Sequence, residues 1–278
     1  MKNFYAFAHI PKTAGTSFYQ ILERNFGRSF VHVSSLGITE SPLSSEAIKR
    51  FVIDNECVKA FGGHRVRFNL PWNKIDKLNL YAISYVRNPI DRLRSEYHYL
   101  KTLRLKVKGV YAASSYEEFI YKLIRNEDEL VKFASYQFRY LVSGTNISSI
   151  DELIENDNIL IFPTECFLIS CAILEYRFPK EFKDCSYVIR NEGPKVKKEK
   201  YFKLESQLEL VLKQIKNNDF ELWNAVLTKS DKFHKEFWDE LEKIRNRICR
   251  KNLLRKYSLT PLQSFLERVN NYTQRLRL

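Results

Sequence analysis

Lys12 lies in the stretch FAHIPKTAGTSFYQIL, residues 7–22, followed at once by Thr13, Ala14, Gly15, Thr16 and Ser17. One cation among small, hydroxyl-bearing residues is a composition suited to cradling an anion. Small residues let backbone amides approach a ligand, and a helix N-terminus turns unpaired N–H groups and a positive dipole end toward negative charge. That chemistry needs a strand before the loop and a helix after it. Phe4, Tyr5, Ala6, Phe7, Ala8 and Ile10 form the short apolar run of a buried strand, and Phe18, Ile21, Leu22 and Phe26 recur at helical spacing. The reading is strand, turn, helix, with a phosphate-binding loop at the turn. The usual order G-x-x-x-x-G-K-[ST] is not met, because here the lysine precedes the glycine. A basic turn with Lys12 in solvent is the plain alternative. The density of small residues between two elements favours the anion site.

A second polar cluster follows another apolar run, residues 80–86, which stops at Arg87-Asn88-Pro89. Pro89 suits the first turn of a helix running through IDRLRSEYHYL. The planar fork of Arg87 can bind a phosphate through two hydrogen bonds, and Ser95, about two helical turns on, can add a hydroxyl donor. Arg92 and Arg94 on the same helix are either ligand residues or surface residues. Anion sites at two strand ends point to a nucleotide that carries phosphates at two positions.

The elements that must position these groups alternate. The stretch CVKAFGGHRVRF gives a strand ending at Gly62-Gly63, and NILIFPTE gives another over residues 159–162, ending at Pro163. Strands separated by helices argue for an α/β fold: a P-loop-like parallel sheet flanked by helices, with ligands at the carboxyl ends of its strands. The rest reads as helical. Phe237, Leu241, Ile244 and Ile248 form an apolar stripe among Lys243, Arg245, Arg247, Arg250, Lys251, Arg255 and Lys256, and Thr260-Pro261 opens a last helix through Leu262, Phe265, Leu266 and Val269. We expect a single domain over residues 1–278. Within it, residues from about 230 to 278 form a basic helical C-terminal extension whose charge is the solvated face of packed helices.

The chain has 278 residues, 44% hydrophobic and 14% aromatic, which suits a globular protein with a substantial core. No run approaches the ~18 to 20 apolar residues of a spanning helix, and no cleavable leader precedes the first strand. The expectation is a cytoplasmic protein, or a soluble form trimmed of an anchor. Five cysteines without a C-x-x-C pair or clustered histidines argue against a disulfide framework and against a structural metal. A formal charge of +13 attracts polyanions of any kind, without choosing among nucleic acid, membrane, acidic sugar polymer and phosphate-rich cofactor.

IPKTAGTSF followed by YVRNPIDRLRSEYHY resembles the paired signature of sulfotransferases that use 3′-phosphoadenosine 5′-phosphosulfate (PAPS). The Lys-Thr-Ala-Gly-Thr-Ser form is similar to the carbohydrate group that includes heparan sulfate 2-O-sulfotransferase and its bacterial relatives. FGGH at residues 61–64, SYQFRYLVSG at 135–144, IFPTE at 161–165 and NNDFELW at 217–223 follow in the same order, so the likeness spans about residues 4–230. The resemblance implies that Lys12 contacts the bridging oxygen or 5′-phosphate of the donor. The backbone amides of Thr13, Ala14, Gly15, Thr16 and Ser17 then cradle it, and Arg87 and Ser95 hold the 3′-phosphate. His64 matches the Gly-His that supplies the base. No metal is required, and the acceptor is a carbohydrate hydroxyl, with an acidic glycan favoured by the basic composition. No nucleic-acid partner is expected. The weighed alternatives are a P-loop-type nucleotide kinase, disfavoured by the lysine order and by the lack of a metal-binding Asp after a strand, and a non-catalytic protein binding glycans, polyanions or nucleic acid. The last leaves the opening loop without a purpose.

Overall fold

The computed structural model describes residues 2–36, 40–72, 75–103, 108–188, 201–215 and 217–258. The helix expected after Thr260 lies outside the described residues. Five strands, β1 (Lys2–Ala8), β2 (Phe30–His32), β3 (Ala60–Gly63), β4 (Leu78–Val86) and β5 (Ile159–Pro163), form one sheet in the order β2-β3-β1-β4-β5, and every pairing is parallel. The expected α/β architecture is therefore present. Alternation along β1 explains its unbroken apolar sequence: Phe4, Ala6 and Ala8 join one core, while Tyr5 and Phe7 join the core on the opposite face.

Eleven α-helices cover the sheet and extend beyond it among the described residues. They are α1 (Gly15–Phe26), α2 (Ser45–Asp54), α3 (Pro89–Thr102), α4 (Tyr116–Ile124), α5 (Glu127–Ala134), α6 (Tyr136–Val142), α7 (Ile150–Glu155), α8 (Phe167–Arg177), α9 (Phe202–Gln214), α10 (Asn218–Glu236) and α11 (Trp238–Ser258). Phe18, Ile21, Leu22 and Phe26 of α1 pack with Tyr5, Phe7 and the apolar side chains of α8. Leu241 and Ile248 of α11 are buried in that same core, so the apolar stripe of the basic segment lies against α8. A third cluster joins α3, α4, α5 and α9 at one end.

The register fixes what matters for chemistry. Ala8 lies opposite both Gly63 and Ser84, so β1, β3 and β4 reach their carboxyl ends together. The chain passes from β3 on one side of β1 to β4 on the other. This topology leaves a crevice outside the carboxyl end of β1, where ligands of open parallel sheets bind.

Candidate active site

The loop after β1 is short and tightly held. Thr13 is buried and its hydroxyl donates to the Ile10 carbonyl at 2.8 Å, so that side chain braces the turn. Lys12 and Ala14 take left-handed backbone conformations, with φ of 70° and 62°. For non-glycine residues this costs on the order of 1–2 kcal/mol each, and alternation of left- and right-handed residues turns successive N–H groups to one side as an anion-binding nest. Among the described residues the amides of Thr13, Ala14 and Gly15 meet no acceptor, whereas Ser17 N–H donates to the Ala14 carbonyl at 3.0 Å. The Ser17 amide thus already serves the first turn of α1. That turn has no side-chain cap and no acidic residue. Ser44, Asn88, Ser115 and Asn126 cap α2, α3, α4 and α5 in the ordinary way. Gly15 is required by a close approach: a Cβ there would lie 1.8 Å from His9 Nε2.

Arg87 leaves the end of β4 and donates from a terminal guanidinium nitrogen to the Lys12 carbonyl at 3.3 Å, which ties the two loops together. Burial lowers its pKa, opposed by Asp91 and Glu165 nearby. Lys12 Nζ sits 3.9 Å above the centre of the Tyr99 ring on α3. Ser95 is half-buried one turn before Tyr99, on the same helical face, so it belongs to the wall that faces Lys12. Arg92 and Arg94 do not join this group. Arg92 is only 1% exposed, paired with Glu96 at 2.8 Å and stacked over Tyr136, and Arg94 is bound by Asp91 and Glu205. Both hold α3 in place.

His64 follows the last residue of β3. Its Nδ1 lies 2.8 Å from the His9 carbonyl, which can only accept, so Nδ1 carries the proton and Nε2 presents a lone pair. The ring stacks on the buried His9 ring, with centroids 4.1 Å apart. Desolvation lowers the pKa of His64, the bond to His9 opposes this, and the Arg67 charge adds to the lowering. His9 is driven down further by burial, and His64 and Lys12 push in the same direction, so both imidazoles are neutral at pH 7. The Tyr140 hydroxyl, 2.7 Å from the His9 carbonyl and 2.5 Å from that of His64, binds the two loops from α6, and burial raises its pKa so that it remains a donor.

The remaining sequence motifs act as supports. Gln137 clamps the Arg87 peptide on both sides, accepting from Arg87 N–H and donating to its carbonyl at 2.9 Å each. Asp219 in turn accepts from the amides of Gln137 and Phe138 at 2.9 Å, and burial pushes its carboxyl up to about 6. Glu165 accepts from Asn88 N–H and from Trp223 Nε1, joining the Arg87 turn to α10. These contacts connect SYQFRYLVSG, NNDFELW and IFPTE to one loop. His9, Tyr140, Gln137 and Asp219 were not assigned roles from sequence. For Tyr140, Gln137 and Asp219 the signal was the order of those motifs, which carries no chemistry until the fold brings them together; His9 had none.

A family model described as the sulfotransferase family matches residues 2–145, more than half of the chain, and the chain belongs to that family. No curated protein matches it. The matched span holds β1 through β4 and every predicted site residue, while IFPTE and NNDFELW lie beyond it. Sulfuryl transfer is thereby the general reaction class. Among the described residues no group of three or more His, Cys, Asp or Glu side chains could hold a metal ion, and no helix is long and apolar enough to cross a membrane.

Proposed function

We propose that this protein is a PAPS-dependent O-sulfotransferase whose acceptor is a carbohydrate hydroxyl. One observation carries the reading: Lys12, Arg87 and His64 each follow the carboxyl end of one of the adjoining strands β1, β4 and β3, with Arg87 bonded to the Lys12 carbonyl and His64 to the His9 carbonyl. The donor fits the residues present. A nest with free amides at an uncapped helix start suits the 5′-phosphate end, and Arg87 with Ser95 on the adjoining wall suits a 3′-phosphate.

When bound, the donor supplies an activated sulfuryl group on a phosphate leaving group. Lys12 Nζ neutralises the negative charge that grows on the leaving oxygen as the S–O bond lengthens, a contribution largest where charge develops. His64 Nε2 takes the proton that the acceptor hydroxyl loses as its oxygen bonds to sulfur. A pKa held below 6.5 keeps that nitrogen free at neutral pH. Arg87 and the nest fix the donor so that the reacting atoms stay in line. The chain is read as one sulfotransferase unit, with residues from about 230 onward as its basic helical extension. Supporting this, α11 is bound to the body through Arg247 to Glu175 and through Arg255 to Asp184.

The test is transfer of labelled sulfate from PAPS to a glycan panel. Wild-type protein is expected to label a carbohydrate, and His64→Ala to lose transfer while still binding 3′,5′-adenosine bisphosphate. Labelling at wild-type rate by His64→Ala would overturn the assignment of the base.

A further inference from the structure

Near the end of α3 one large aromatic side chain stands outside the cores. Tyr99 is 37% exposed and joins none of the three buried clusters, whereas Tyr97, two residues earlier, is 4% exposed and packs on Tyr116 and Phe119. The Tyr99 ring meets the loop after β1 instead. Lys12 Nζ lies 3.9 Å from the ring centre, well inside the ~6 Å over which an ammonium is attracted to an aromatic face.

One arm of the fold therefore grips Lys12 at both ends. Arg87, just past β4, donates to the Lys12 carbonyl at 3.3 Å, and Tyr99, about three turns into the helix that follows, lies under its ammonium. Ser95 stands one turn before Tyr99 on the same side of that helix. The helix itself is braced: Asn88 caps its start, Arg92 pairs with Glu96 at 2.8 Å, and Arg94 pairs with Asp91 at 2.7 Å. A ring on so fixed a helix restrains a side chain that would otherwise sample many rotamers. The kind of contact matters as much as its place. A carboxylate beside the ammonium would neutralise it and compete with an anionic ligand. An aromatic face carries no net charge, and the N–H groups on the far side of the nitrogen stay available as donors.

We infer that Tyr99 is a positioning residue for Lys12: its ring holds the ammonium, still charged, in place for the leaving phosphate before the donor arrives. This role deepens the sulfotransferase reading and rests on it, because it takes Lys12 as the group that meets the leaving oxygen. Order imposed in advance raises affinity and rate together, since the lysine is not first fixed when the donor binds. Tyr99 acts through Lys12, so it serves the 5′-phosphate that 3′,5′-adenosine bisphosphate and 5′-AMP share. The preference for a 3′-phosphate is left to Arg87 and Ser95.

The test is calorimetric titration of wild type, Tyr99→Leu, Tyr99→Phe, Lys12→Ala and the double variant Lys12→Ala with Tyr99→Leu, each with the bisphosphate and with 5′-AMP. Tyr99→Leu is expected to weaken both ligands by the same factor, about two- to thirtyfold, so that the preference for the bisphosphate stands, and Tyr99→Phe to restore both. In the Lys12→Ala background Tyr99→Leu should cost nothing further. Unchanged or tighter binding by Tyr99→Leu, a loss that Tyr99→Phe does not restore, or a loss of equal size without Lys12 would overturn the role. So would a loss of the preference itself, the mark of a displaced α3. The contact is also read without any ligand. With the lysines dimethylated by a 13C label, the Lys12 methyl signal, identified by its absence in Lys12→Ala, should lie upfield from the ring current and move downfield in Tyr99→Leu; no such shift in wild type would overturn the contact. Failure of the bisphosphate to bind wild-type protein would remove the donor reading and this role with it, and the methyl signal then shows whether the contact alone stands.

Discussion

His64 has one ring nitrogen held by a backbone carbonyl and the other left as an acceptor, and this single bond gives an exposed histidine the orientation that the proposed base needs. His64→Ala should lower kcat by roughly 10²–10⁴-fold without changing bisphosphate affinity, checked by steady-state kinetics beside calorimetry. Because the imidazole must be neutral to accept a proton, and its pKa is lowered, activity should be flat near neutrality. It should fall only as pH drops through a midpoint below 6.5, readable in a kcat/KM profile. Lys12→Ala should cost about 10²–10³-fold in kcat and weaken bisphosphate as well, since the same cation meets ground-state charge. The positions of Lys12, Arg87 and His64 at strand ends were legible in sequence from the apolar runs before them, and that of Ser95 from the helix after Arg87, while the role given to His64 came from the family resemblance. His9 was not legible. Its role comes from a stacked ring and a carbonyl 55 residues from His64 in sequence, a relation no local pattern contains.

At the scale of elements, the loops around the crevice are held by α6 and α10. Asp219 at the start of α10 secures the first turn of α6, and Gln137 on α6 secures the Arg87 peptide. Asp219→Ala strands two buried amides, a loss of roughly 1–3 kcal/mol for each unsatisfied group, and should lower Tm and bisphosphate affinity together. Thermal melts with and without the ligand check this. The strands β1, β3, β4 and β5 could be read from their apolar runs, within two residues at their ends. Three-residue β2 could not, because so short a segment shows no alternation, and its place at the sheet edge depends on pairing with β3.

On the scale of the whole molecule, the basic C-terminal helix α11 is tied down through Asp184. Burial raises the pKa of this carboxyl, but hydrogen bonds from Ser186 and the charges of Lys251 and Arg24 outweigh it and bring it to about 2. The folded value lies below the ordinary 3.8 of an aspartate, so the contribution to stability is present above about 4 and is lost as pH falls toward 2. Asp184→Asn should therefore lower Tm at pH 7, with the gap to wild type closing by pH 2, as thermal melts across pH would show. Charge excess alone did not disclose this docking. It was the stripe of Leu241 and Ile248 that foretold a packed helix, and the arginines around it find acidic partners on the body.

The central claim is a donor pocket with two anion sites, tested most directly by calorimetric titration with 3′,5′-adenosine bisphosphate against 5′-AMP. Wild-type protein should bind the bisphosphate far more tightly than AMP. Arg87→Ala should erase that preference, and Lys12→Ala should weaken both ligands. Equal affinity for bisphosphate and AMP in wild type, or a preference that survives Arg87→Ala, would contradict the account.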